Sequence, residues 1–204
     1  MHHDRDRAEA TKDRRDALCA KRASRRHFLG WALCSGIGLL VPGPRQATAS
    51  AAAPGRRSLS LRHVRSGETL DVTYRTPEGY DTAALADVSH LMRDRRTGDV
   101  RWIDARLLDY LFTVQSLLET PEPFHIVSGY RSPETNARLR RAGIGAASNS
   151  YHLKGQAVDL WLPGGAAAAV HKAALAARRG GVGYYPDRHF VHLDVGPVRH
   201  WSTS

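Results

Sequence analysis

Beyond residue 50 the chain contains no cysteine. Its two cysteines, Cys19 and Cys34, both lie near the N-terminus, so the remainder has no disulfide framework and no thiol chemistry. No apolar run reaches the ~20 residues that span a bilayer. Internal repeats are absent, which excludes solenoids and propellers. Basic residues are not interleaved with aromatic ones, as binders of single-stranded nucleic acid require, and no nucleic-acid partner is expected.

What the N-terminus does contain is an address. Ser24-Arg25-Arg26-His27-Phe28-Leu29 opens an apolar stretch that closes on Ala47-Thr48-Ala49. This is the layout of a twin-arginine export signal with a small-residue cleavage site. Residues 1–49 are therefore expected to be a signal peptide, residues 50–57 a flexible lead-in and residues 58–204 one domain. Membrane attachment would come only from an uncleaved leader. The part after the leader is roughly 155 residues, enough to bury a core without staples. Ten of the 30 basic and five of the 20 acidic residues precede residue 50, leaving the rest near +5. Outside the cytoplasm, that mild basicity suits a cell-wall polymer rich in carboxylates.

Along the domain, alternation at Leu59–Arg75 around Arg65-Ser66-Gly67-Glu68 predicts a hairpin. Ala84, Leu85, Val88, Leu91 and Met92 have helical spacing, as do Leu107, Leu108, Leu111, Val114 and Leu118 behind an N-cap at Asp104. Phe124–Tyr130 reads as a strand. A helix begins at Ser132-Pro133 and stops at Gly143. Residues 155–162 read as a strand, 164–180 as a helix ended by Gly180, and Val182–Tyr185 and His189–Val195 as strands parted by Pro186-Asp187. The order implies an α+β fold, a small antiparallel sheet with flanking helices.

Two stretches carry chemistry. "SNSYHLKGQAVDL", Ser148–Leu160, places His152 seven residues before Asp159 across Gly155; "DRHFVHLDVG", Asp187–Gly196, adds His189, His192 and Asp194. A catalytic zinc takes three ligands from His, Asp or Glu and keeps a position for water, and His152, Asp159 and His192 are the natural set. Taken singly, each signal is weak: a lone histidine beside a strand is more often a satisfied structural residue, and Asp159 could merely cap a turn.

Together they match a family pattern. "SYHLKGQAVD" and "HFVHLDVG", with "SGYRSPETN" (Ser128–Asn136) and the closing "GPVRHW", resemble the zinc D-Ala-D-Ala metallopeptidases. These share a fold with lysostaphin-type endopeptidases and the hedgehog signalling domain. Within that group the chain is most similar to the murein endopeptidase K branch, over about Leu59 to Trp201. The resemblance implies zinc ligands at His152, Asp159 and His192. It puts His189 where relatives carry a catalytic base, and Arg131 as a clamp for a peptide carboxylate or developing oxyanion. Asp194 would either orient a ligand histidine or serve a turn ending at Gly196. His63, His90, His125, His171 and His200 match no position of the pattern and read as surface or packing residues.

The implied protein is an exported, monomeric zinc peptidase, periplasmic or otherwise extracytoplasmic. It would hydrolyse the peptide cross-links of peptidoglycan and take stem peptides as partners. Two alternatives remain open: a D,D-carboxypeptidase trimming stem peptides, and a non-catalytic zinc-containing domain that binds the cell wall.

Overall fold

Leu59, Leu61 and His63 are buried while Ser58 and Arg62 are exposed, the period of two that makes β1 (Arg57–His63) a half-buried strand. The computed structural model describes residues 55–164 and 167–203. The expected signal peptide and residues 50–54 of the expected lead-in lie outside the described residues. The strand begins at Arg57, inside the stretch read as lead-in.

Antiparallel β2 (Thr69–Thr76) pairs with β1, and the two-residue β3 (Gly79–Tyr80) pairs with β2. Helix α1 (Thr82–Leu91) starts at Asp81, whose side chain accepts a hydrogen bond from Ala84 N at 3.0 Å. Helix α2 (Ala105–Leu118) starts at Asp104, which accepts from Arg106 N at 3.0 Å. Each cap satisfies a backbone donor that the first turn leaves free. After β4 (Phe124–Ser128), helix α3 (Pro133–Arg141) begins with Pro133 behind the Ser132 cap. A 3-10 turn (Tyr151–Lys154) leads into β5 (Ala157–Trp161), then α4 (Ala167–Ala177) and β6 (Gly181–Tyr185). A second 3-10 turn (Pro186–Arg188) precedes β7 (Phe190–Asp194), and β8 (Arg199–Ser202) follows.

The strands form one eight-stranded sheet in the order β3-β2-β1-β4-β5-β7-β6-β8. The mixture of helices and strands is as read, but the small antiparallel sheet is corrected on both counts. The β1/β4 and β6/β8 pairs are parallel, and eight strands exceed a small sheet. Strands β3 and β8 are two and four residues long, too short to show an alternating pattern. Parallel pairing is set by long-range crossover and leaves no local mark in the sequence.

Helices α2 and α4 cover one face of the sheet. Leu107, Leu111, Val114, Val170 and Ala174 meet Val158, Leu160, Val191 and Leu193 in a single core, and Tyr110 Oη donates to the Ala174 carbonyl at 3.0 Å. Each such Val or Leu side chain contributes roughly 1.5–3 kcal/mol on burial. Alternation then turns Asp159, His192 and Asp194 to the opposite face. Among the described residues no helix is long and apolar enough to cross a membrane.

Candidate metal centre

Asp159 and His192 are register partners on the neighbouring antiparallel strands β5 and β7, so their side chains emerge side by side. His152 reaches them from the 3-10 turn, which Ser150 caps by accepting from His152 N at 3.3 Å. Gly155 ends that turn with φ 66° and a carbonyl of Trp102 where a Cβ would sit, so only glycine lets the chain reverse here into β5. His152 Nε2 lies 3.2 Å from Asp159 Oδ1, His192 Nδ1 lies 2.8 Å from the same oxygen, and the two nitrogens are 3.2 Å apart. All three residues are buried, with 1%, 4% and 9% of their surfaces exposed for His152, Asp159 and His192.

The outward-facing atoms of the rings show what the inward-facing ones can do. His152 Nδ1 is 2.6 Å from the Gly129 carbonyl, which can only accept, so this nitrogen carries the proton and Nε2 presents a lone pair. His192 Nε2 is 3.0 Å from Asp194 Oδ2, a carboxylate oxygen, and donates to it. With His192 neutral, three lone-pair atoms therefore converge with no proton between them. A cation satisfies all three. Two imidazoles and one carboxylate are donors that zinc accepts, and the described residues fit it. Burial acts to raise the Asp159 carboxyl, but His152 and the Arg131 guanidinium hold it well below the usual carboxylate range. Burial lowers His152, while Asp159 opposes it.

Asp194 is fully buried and surrounded by donors. Its Oδ2 accepts from His192 Nε2 and from Arg199 Nη2 at 2.6 Å. Its Oδ1 accepts from Arg199 Nη1 at 2.9 Å, Gly196 N at 2.8 Å and Gly181 N at 3.3 Å. Burial works against the charge, yet the bonds from His192 and Arg199 keep Asp194 ionised and its pKa low. Asp194 thus bonds both to the ring of His192 and to the turn at Gly196. Arg199 lies within the "GPVRHW" stretch of the family pattern, which assigns it no role, and a four-residue strand offers no periodicity that would single it out.

Arg131 donates from Nη2 to Asp159 Oδ2 and from Nε to Ser128 Oγ, the latter at 2.9 Å. Its Nη1 has no hydrogen-bond partner among the described residues. The centre opens on a cavity of about 590 Å³ that Arg131, Tyr151 and Trp201 help to line. Trp201 lies with its ring 5.3 Å from that of His192 and its Nε1 donating to Tyr185 Oη at 3.0 Å. It fits because Gly183, the β6 partner of His192, has no side chain; a Cβ there would stand 2.6 Å from the indole. His189 is exposed and closes the second 3-10 turn in the left-handed region, φ 53°. Its neighbours Arg188 and Phe190 line the cavity, and it does not. Lying before β7, it is free of the alternation that would otherwise turn residues 189 and 192 to opposite faces.

A buried His-Asp-His donor set at the floor of an open cleft is the layout of a metal-dependent hydrolase. The chain belongs to the family described as peptidoglycan L,D-endopeptidase MepK, whose model matches residues 51–201. The peptidoglycan L,D-endopeptidase MepK of Escherichia coli (strain K12) is 44% identical over 162 residues, 79% of this chain and 88% of the relative. The probable peptidoglycan L,D-endopeptidase MepK of Haemophilus influenzae is 38% identical over 168 residues, 82% and 89% of the two chains. Among solved structures, the L-Ala D-Glu endopeptidase ChiX of Serratia marcescens matches with a TM-score of 0.33 and 22% identity, over 47% of this chain and 69% of its own.

Proposed function

We propose that the protein is an exported zinc endopeptidase that hydrolyses peptide cross-links of peptidoglycan. The observation that carries this reading is the convergence of three buried acceptors, His152 Nε2, Asp159 Oδ1 and His192 Nδ1, on a point open to the cleft. The names of the relatives at 44% and 38% identity support the substrate. Peptidoglycan lies outside the cytoplasm, which agrees with the twin-arginine motif at Arg25-Arg26.

His152, Asp159 and His192 would hold the ion, and Lewis-acid polarisation together with an acidified water is what zinc supplies in such a site. Asp194 fixes the His192 ring with its Nε2–H outward, and the Gly129 carbonyl does the same for His152 Nδ1–H. Arg131 keeps Asp159 charged and offers Nη1 to a substrate carbonyl or carboxylate. His189 is proposed as the base, since an imidazole can take up and return a proton near neutral pH. Arg188 and Phe190 on either side of it line the cleft, and its own ring has to turn inward to act.

The test is incubation of residues 50–204 with cross-linked muropeptides, followed by mass spectrometry. Opening of cross-links that chelation abolishes and zinc restores is expected, with about one zinc per chain, as a single three-ligand site holds. His152→Ala, Asp159→Ala and His192→Ala should each lose metal and activity, and full metal occupancy in all three would overturn the assignment. Trimming of stem peptides without opening of cross-links would establish the D,D-carboxypeptidase instead. Metal binding with neither would establish the cell-wall binding domain.

A further inference from the structure

His63 closes β1 with 1% of its surface exposed, yet its ring lines the same cavity as the metal centre. Its Nδ1 faces the backbone N–H groups of Arg65 and Ser66, at 3.3 and 3.4 Å. Two donors on Nδ1 require it to accept, so Nε2 carries the proton. That N–H has no protein partner among the described residues. A donor that borders the cavity in this way is available to a ligand.

The surroundings of His63 are cationic. Arg65, Arg93, Arg95 and Arg96 line this end of the cavity. Against them stand Glu68, which binds Arg93 and Arg95 at 2.9 Å each, and Asp94. The Asp94 carboxylate is turned to backbone, accepting from Ser132 N at 2.7 Å and Arg96 N at 2.8 Å. The guanidiniums of Arg65 and Arg96 make no hydrogen bond or ion pair with the described residues. Four cations thus face two anions, both already engaged. Burial and then the charge of Arg95 keep the His63 imidazole neutral, a donor and not a further cation.

Position relates this cluster to the metal centre. Strand β1 is separated from β5 by β4 alone, with His63 in register with Ile126 and, across a register shift, Asp159 in register with Ser128; both residues line the one cavity. From ~4.8 Å between strands and ~3.3 Å per residue along them, the two Cα atoms are roughly 10–12 Å apart. We infer that this end of the cleft is a carboxylate-binding subsite, holding a free carboxylate of the substrate peptide about three extended residues from the bond at the metal centre. His63 Nε2–H and the guanidiniums of Arg65 and Arg96 are its donors. The inference rests on the endopeptidase reading and adds a specificity determinant to it.

The test compares cross-linked muropeptides in their native form and after conversion of free carboxylates to carboxamides. Wild-type enzyme should have kcat/KM about tenfold or more higher on the native form, the scale of a charge-assisted pair. In the Arg65→Gln/Arg96→Gln double variant the ratio should fall close to one, through KM. Both positions are exposed, and thermal melting checks that the fold is kept. A wild-type ratio near one, or a ratio unchanged in the variant, overturns the subsite. Calorimetry with the uncrosslinked disaccharide-tripeptide, as carboxylate and as carboxamide, separates the two readings. A carboxylate preference that the double variant loses, with no cleavage of any muropeptide, upholds the subsite and removes the endopeptidase. Equal wild-type binding of both forms overturns the subsite whether or not cross-links are cut.

Discussion

Replacing Asp194 by Asn changes one oxygen to an amine and leaves the shape. Both oxygens of Asp194 face donors alone, two at Oδ2 and three at Oδ1. Either orientation of the carboxamide must therefore set its NH₂ against N–H groups. Placing it at Oδ2 breaks two bonds instead of three and is favoured. His192 Nε2 then becomes an acceptor, and the ring proton moves to Nδ1, the atom that faces His152 and Asp159. Arg199 is partly exposed, with 40% of its side chain accessible, and water can replace part of its loss. The stability cost should therefore be at the low end for two charged bonds, roughly 3 kcal/mol. Metal binding has to reverse the tautomer against the NH₂, and affinity should fall roughly 10–100-fold, the range for lost outer support of a ligand histidine. Competition with a chelator measures the affinity, and long-range ¹⁵N correlation spectra report which nitrogen of His192 is protonated. Unchanged zinc affinity with the proton still on Nε2 would refute the reasoning.

Four further outcomes follow from the same geometry. His189→Ala should keep its zinc and lose about 10²–10⁴-fold in turnover of muropeptides; a zinc-loaded variant with near wild-type turnover would move the base to another residue. Gly183→Ala should destabilise by roughly 1–3 kcal/mol through overpacking and shift Trp201 fluorescence, because the new Cβ meets the indole. Hydrogen bonds from Arg93 depress the Glu68 carboxyl from 4.5 to about 2, so its stabilisation is complete above about pH 4.5 and is lost as the pH falls toward 2. With the Glu68 side chain 40% exposed, Glu68→Gln should remove about 0.2–1 kcal/mol of that pH-dependent stability in acid melts. Arg25→Lys with Arg26→Lys should retain the precursor in the cytoplasm, because a receptor reads the pair; export at the normal rate would make the leader an ordinary secretory signal.

The elements that could be read from the sequence are those whose pattern is local. Helix α2 declares itself through Asp104 and the Leu107–Val114 stripe, and β5 and β7 through short runs of alternating aliphatics. Asp159 and His192 interrupt those runs with polar groups, but that the two strands lie side by side is implied only by the family resemblance. What could not be read depends on partners far along the chain. The carbonyl of Gly129 that holds His152 has no side-chain signature. Arg131 is visible as a residue, but its bond to Asp159 is not. His63 has the alternation of a core position, which hides that its ring also borders a cavity. Strand β8 and its parallel place beside β6 are fixed by the assembled sheet, and no window of four residues could announce them.

That last strand has a consequence for shortened forms of the chain. Arg199 and Trp201, both on β8, reach back to Asp194 and to the ring of His192. Removing β8 would leave the Asp194 carboxylate without its guanidinium and uncover one side of the His192 ring, while His152 and Asp159 keep every hydrogen bond they have to one another and to Gly129 and Arg131.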